Sequence, residues 1–101
     1  MKPRYMKDVG EWEVVQTTNK AAKRAGFLHR KVVYQGRTGA PDDWYFGAGA
    51  RLIIIEHKRP GKPPKPHQER EIKRLRALGF DVRVVSTVAQ ARRVFEIGDL
   101  A

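Results

Sequence analysis

Residues 51 to 58 read Arg51-Leu52-Ile53-Ile54-Ile55-Glu56-His57-Lys58, with Gly47 and Gly49 before them and Pro60-Gly61 after. A run of four aliphatics between chain breakers is a strand signal. Side chains alternate along a strand, so Leu52, Ile54, Glu56 and Lys58 are expected on one face and Ile53, Ile55 and His57 on the other. Aliphatics on both faces predict a central strand covered on both sides. Glu56 and Lys58 then project together from the end of a buried strand. Taken alone, that pair also reads as an ordinary solvated strand end.

Working outward, Lys31 to Gln35 and Trp44 to Gly47 are expected as two more strands, separated by Gly36, Gly39 and Pro41. Asp42, in Gly39-Ala40-Pro41-Asp42, falls at the turn entering the second of them, which neighbours the 51–58 strand across a short connection. An aspartate after proline is a common turn residue. Two carboxylates on neighbouring strands can also reach one cation, since Mg²⁺ takes one or two protein carboxylates and completes its shell with water and phosphate oxygens. A lysine two residues beyond the second carboxylate adds a cation for a phosphate. Together these residues predict a metal-dependent phosphodiesterase site.

The segment from about Val9 to Ala25, ended by Gly26, is expected to be helical. At roughly 100° per residue, Val14, Val15, Thr18, Ala22 and Ala25 fall within about 40–60° of Glu11, while Glu13 lies near 200° and faces water. Glu11 is thus centred on the buried face, where a carboxylate needs a cation or a donor; as a first-turn acid it also suits the helix dipole. A second helix is expected from Pro66 or His67 to Leu78, with Ile72, Leu75 and Gly79 inward and Leu78 flanking. Gln68 precedes Ile72 by one turn, so its amide faces the sheet. It is read either as orienting water or a phosphate oxygen, or as a buried amide satisfying backbone groups. Phe80 to Ser86 is expected as the last strand, and Thr87-Val88-Ala89-Gln90 as a capping box opening a helix to about Ile97.

Several of these motifs occur together in one family. Gly39-Ala40-Pro41-Asp42, Ile55-Glu56-His57-Lys58-Arg59-Pro60-Gly61, Gln68 and the run from Leu75 to Val85 closely resemble the virus-type replication-repair nuclease (VRR-NUC) domain of the PD-(D/E)xK nuclease superfamily. The resemblance extends from about Val9 to Phe95. It implies an α/β fold with a restriction-endonuclease-like core, in the order α-β-β-β-α-β with a C-terminal helix, and a mixed sheet flanked by helices. It also implies Asp42 and Glu56 as metal ligands, Lys58 as the catalytic lysine, a glutamate from the first helix near the metal, and a glutamine opening the second helix. The chain departs from the family pattern at His67, Asp43 and Trp44, where aliphatics are usual.

The expected mechanism is hydrolysis of DNA, with Mg²⁺ or Mn²⁺ held by Asp42, Glu56, the backbone carbonyl of His57 and Glu11. Lys58 stabilises developing charge, and Gln68 completes the catalytic set. His29, His57 and His67 are read as too scattered for a zinc triad, with His57 pointing away from Glu56.

Composition sets the remaining bounds. The chain has 101 residues, expected to form a single nuclease domain, and no cysteine, which removes disulfides, thiolate zinc sites and cysteine nucleophiles. No apolar run approaches the ~20 residues of a membrane span, and Met1-Lys2-Pro3-Arg4 is not followed by a signal sequence, so a cytoplasmic location, bacterial or in a phage-infected host, is expected. A net charge of +10 and a pI near 10.4 favour a polyanionic partner. Arg59, Lys62 and Lys65 lie in a stiff loop with four prolines, and Arg70, Lys73 and Arg74 follow on the helix; these six are the expected DNA contacts. A second basic cluster runs through Lys20, Lys23, Arg24, His29, Arg30 and Lys31. Trp12, Trp44, Tyr45 and Phe46 exceed what a small core hides, so contact with a second copy is expected, and compact members of the family resemble homodimeric junction nucleases. Branched or four-way DNA is the expected substrate. The alternatives are an inactive DNA-binding module of the same fold and a basic RNA-binding protein.

Overall fold

The computed structural model describes residues 9 to 96. Its elements run α1 (Val9–Arg24), β1 (Leu28–Lys31), β2 (Asp43–Gly47), β3 (Arg51–His57), α2 (Pro66–Ala77), β4 (Asp81–Val85) and α3 (Val88–Arg93). The four strands form one sheet in the order β1-β2-β3-β4. β1, β2 and β3 pair antiparallel, and β4 joins β3 in parallel after the crossover through α2. This is the α/β arrangement with a mixed sheet that the resemblance implies.

β3 is covered on both faces, as its aliphatics require. Ile53 and Ile55 pack with Val14 and Ala22 of α1, Tyr45, Val85, and Ala91, Val94 and Phe95 at the C-terminal end. Ile54 packs on the opposite face with Ile72 of α2 and Val82, joined by Trp44, Leu52, Leu75 and Val84. The period of two therefore assigns each β3 side chain to its layer. Both long helices end as their glycines dictate. Gly26 (φ 82°) and Gly79 (φ 94°) adopt left-handed backbone. The next amides, Phe27 and Phe80, reach back to the Ala22 and Leu75 carbonyls at 2.9 and 3.2 Å.

Three expectations shift. The first strand is Leu28–Lys31, not Lys31–Gln35. Its last rung is the Val32 amide on the Asp42 carbonyl (2.9 Å), because the next residue of the partner strand is the buried Pro41, which lacks an N–H. Val33, in the Val-Val-Tyr run that suggests a strand, is 86% exposed. Next, Ala25 and Leu78 are exposed rather than core-facing, since each lies just beyond its helix. Finally, the core does hide one of the aromatics expected to exceed it: Tyr45 is fully buried, whereas Phe46 is 40% exposed and the two tryptophans are half-buried.

α3 is capped by Thr87, whose hydroxyl accepts the Gln90 amide. Gln90 Oε1 in return accepts the Ser86 amide, not that of Thr87 (2.9 Å). The helix stops at Arg93; Ile97, its expected end, lies outside the described residues.

Candidate active site

At one end of the sheet the starts of α1 and α2 and the junctions of β2 and β3 enclose a cavity of about 530 Å³. Glu11, Asp42, Glu56, Lys58 and Gln68 all line it. Five side chains from four separate stretches of sequence are thus brought to one place. Asp42 enters from the residue before β2, and Glu56 from the penultimate residue of β3. Lys58 follows directly after β3, where its amide hydrogen-bonds the Val85 carbonyl (3.0 Å) and ties the strand end to β4.

Glu56 is a strongly perturbed carboxylate. It is 5% exposed, and its Oε1 is buried with no hydrogen-bond partner. Its Oε2 lies 3.7 Å from the Lys58 ammonium and 3.4 Å from Gln68 Nε2. Burial pushes its pKa up to about 7. Lys58 opposes that rise; Asp42, Glu11 and Asp43 add to it. An unsatisfied buried carboxylate oxygen beside other carboxylates is costly unless a cation meets it.

Gln68 satisfies a backbone group, one of the two roles considered for it, and also reaches the Glu56 carboxylate. Its Oε1 accepts the Lys65 amide at 2.9 Å, closing the N-terminus of α2, and its Nε2 is turned towards Glu56. The amide that caps the helix therefore also contacts the Glu56 carboxylate. Glu11 is half-buried on the same wall as Trp12 and Val15, while Glu13 faces solvent.

Hard oxygen donors of this kind suit Mg²⁺ or Mn²⁺ and not a soft metal. Among the described residues no three carboxylate or imidazole groups are gathered closely enough to enclose an ion by themselves. Water and phosphate oxygens would supply the rest of an octahedral shell.

Asp43, His57 and Lys31 line the same cavity and belong to a polar network that the sequence reading missed. Asp43, 1% exposed, accepts from His29 Nε2 on Oδ1 and from His57 Nδ1 on Oδ2, both at 2.7 Å. Lys31 Nζ stands 3.3 Å from Asp43 and 3.4 Å from Asp42. Thr18 spends its hydroxyl hydrogen on the Val14 carbonyl (3.0 Å) and offers a lone pair to His57 Nε2 at 2.9 Å. Burial works against the Asp43 charge, but the bonds from His57 and His29 and the charges of His57 and Lys31 overcome it and hold the carboxyl well below its usual range. Burial lowers the Lys31 pKa less than Asp43 and Asp42 raise it, so that ammonium is strengthened.

Two of the three histidines are therefore not scattered: His29 and His57 meet on Asp43. His57 does point away from Glu56, as strand alternation requires. The network anchors the residues adjacent to Asp42, Glu56 and Lys58, so each site side chain leaves a pinned backbone. The only sequence signal for it was the departure at Asp43, a charged residue at a position facing the core.

The expected DNA contacts divide. Lys62 and Lys65 are exposed on the loop before α2, and Arg59 there is half-buried. Lys73 is exposed, 4.0 Å from Glu69. Arg70 and Arg74 line a separate cavity with Arg37, Thr38 and His67.

No protein-family model matches the chain. A phage protein from Acyrthosiphon pisum secondary endosymbiont phage 1, titled "Putative nuclease p44", is 38% identical over 65 residues, which are 64% of this chain and 70% of that protein. A solved structure titled "VRR_NUC domain" superposes with a TM-score of 0.81 at 32% identity, covering 87% of this chain and 96% of the other. By these similarities, and by its strand order, helix placement and Pro-Asp and Glu-x-Lys positions, the chain belongs to the VRR-NUC family.

Proposed function

We propose that this protein is a divalent-metal-dependent DNA endonuclease acting on branched DNA, with Mg²⁺ or Mn²⁺ held by Asp42, Glu56, the His57 carbonyl and Glu11. The carrying observation is Glu56: a buried carboxylate with one orphaned oxygen, in an open cavity that it shares with Glu11, Asp42 and Asp43 and with Lys31 and Lys58. When bound, the ion would polarise the phosphate and make a coordinated water more acidic.

The chain's own groups do the rest. Lys58 places an ammonium 3.7 Å from Glu56, where it offsets negative charge building on the phosphate oxygens. Gln68 restrains the Glu56 carboxylate from α2 and has a second amide hydrogen for a water or phosphate oxygen. Asp43 and His57 hold the strand ends that carry Asp42 and Lys58. Family membership and the nuclease title of the phage relative support a nuclease; the choice of DNA and of a branched substrate rests on the +10 charge and on the family resemblance.

A homodimer fits this reading. Leu28 (50% exposed) and Phe46 (40%) are paired across β1 and β2, next to Trp44, on the sheet face that α2 leaves open. The test uses end-labelled four-way junction, flap and linear duplex with Mn²⁺ and with chelator. Paired symmetric cuts in the junction, abolished by chelator, are expected. Binding without cleavage in every metal would overturn the enzyme reading, and a ladder from the ends would replace endonuclease with exonuclease.

A further inference from the structure

The start of α2 stands between two cavities of opposite character. Gln68 lines the acidic one, and its neighbour His67 lines the second, of about 510 Å³, with Arg37, Thr38, Arg70 and Arg74. Among the described residues no carboxylate lines this second cleft. Arg37 and Thr38 come from the loop between β1 and β2, and the others from α2.

The cleft is built, not incidental. Glu71, 7% exposed, sits behind it and accepts the Tyr34 hydroxyl on Oε2 at 2.7 Å and Arg74 Nε on Oε1 at 3.1 Å, with Arg37 Nη2 at 3.9 Å. The Tyr34 hydroxyl bond is the leading cause that holds the Glu71 carboxyl below its usual range, so the anchor stays charged. Gly39 lets the loop lie directly on the helix: a Cβ there would stand 3.1 Å from the His67 carbonyl oxygen. Both walls are thus tied together through Tyr34 and Glu71, which do not line the opening.

What does face the opening is surplus positive charge. Of the three guanidiniums, only Arg74 and Arg37 approach the Glu71 carboxylate. Arg74 uses only Nε on Glu71, and Arg70 has no hydrogen bond or ion pair among the described residues. Arg70 and Arg74 are four apart on one helix, a spacing at which like charges repel. Packing gains nothing from that arrangement, whereas guanidinium donors in a fixed fork match the oxygens of a phosphate.

We propose that this cleft seats a backbone phosphate of the bound DNA, a neighbour of the one presented to Asp42, Glu56 and Lys58 on the other side of the α2 start. The identity of the polyanion rests on the nuclease reading; the existence of an anion seat rests on the cleft. Arg37 and Thr38 become DNA contacts that no nuclease motif marks, and the seat fixes the direction in which the strand crosses α2.

The experiment reads binding without cleavage. Fluorescence anisotropy is followed in EDTA across a NaCl series with labelled branched DNA, for the wild type, Arg37→Gln and Arg70→Gln. These exposed substitutions lie on different elements, and urea midpoints confirm that each variant folds. Each is expected to weaken binding by about three- to tenfold and to lower the salt slope by about one. A methylphosphonate that removes one backbone charge is then moved along the strand. At one fixed offset from the cut position it should weaken the wild type but not Arg70→Gln.

Unchanged affinity and salt slope in both variants overturns the proposal. Dependence on a 5′-phosphate end, with no effect of internal methylphosphonates, also overturns it in favour of a terminal phosphate. The two readings fail separately. Intact, variant-sensitive binding with no cleavage refutes the nuclease and keeps the cleft, whereas normal cleavage with insensitive binding refutes the cleft alone.

Discussion

Replacing Glu56 with glutamine should remove cleavage yet make the metal-free protein more stable at alkaline pH. Below the ordinary value of 4.5 the carboxyl is protonated in folded and unfolded chains alike. Between 4.5 and about 7 the folded chain keeps a proton that the unfolded chain releases, so wild-type stability falls as pH rises through that window. From pH 5 to pH 8 the loss has a ceiling of about 2–3 kcal/mol, since each pH unit between the two values is worth roughly 1.4 kcal/mol. Glutamine has the shape of the protonated acid and does not titrate. The variant should therefore match the wild type near pH 5 and exceed it by about 2 kcal/mol at pH 8, moving the urea midpoint by about 1–2 M for a domain of this size. Comparing the two proteins at each pH cancels every other titrating group, Asp43 included. Urea unfolding in EDTA at both pH values is the assay. Adding Mn²⁺ should then stabilise the wild type, by about 2.7 kcal/mol at a hundredfold excess over its dissociation constant, and leave the variant unmoved. Equal stability of the two proteins at both pH values, or a variant that loses stability at pH 8, would show that Glu56 is not the strained, cation-seeking carboxylate described above.

Other outcomes follow from the same structure. Lys58→Met should lower single-turnover cleavage by about 10²–10³-fold while thermal unfolding and DNA binding in EDTA stay close to wild type. Asp43→Asn leaves His57, His29 and Lys31 facing a neutral group in a buried site; a loss of about 3 kcal/mol and at least ten degrees in Tm is expected. Because the Asp43 carboxyl is held below its usual range, its contribution is present above the ordinary carboxylate pKa and is lost as pH falls, so wild-type acid unfolding should be steeper than that of the Asn variant in a pH-jump titration. Gly47→Ala puts a Cβ 2.5 Å from the Phe27 ring and should cost about 1–3 kcal/mol by calorimetry, with partial recovery when Phe27 is shortened to Leu.

Much of the frame was legible because its causes are local. Alternation along Arg51–His57 assigned Ile53 and Ile55 to one layer, Leu52 and Ile54 to the other, and Glu56 and His57 to opposite sides. Gly26 and Gly79 ended their helices because only a residue comfortable at positive φ closes that turn. Thr87 capped α3 for an equally short-range reason. The residues gathered in the cavity, Glu11, Asp42, Glu56, Lys58 and Gln68, followed from periodicity together with the family resemblance.

The rest depended on partners distant in the chain. Val32-Val33-Tyr34 has strand propensity, but pairing stops where Pro41 withholds an N–H, and Tyr34 turns to Glu71 instead, 37 residues away. Tyr45 is buried and Phe46 exposed because β2 pairs in one register, which no property of those two aromatics dictates. Asp43 gathers His29 and His57, each 14 residues away in opposite directions, and His57 reaches Thr18 over 39. Sequence alone determined which residues could form strands, turns and a cation-binding set, since covalent spacing and side-chain chemistry act within a few residues. Only the tertiary structure decided how far buried charges are compensated: both Asp43 oxygens meet donors, whereas Glu56 keeps one oxygen without a partner, because the donors that distinguish them arrive from other elements.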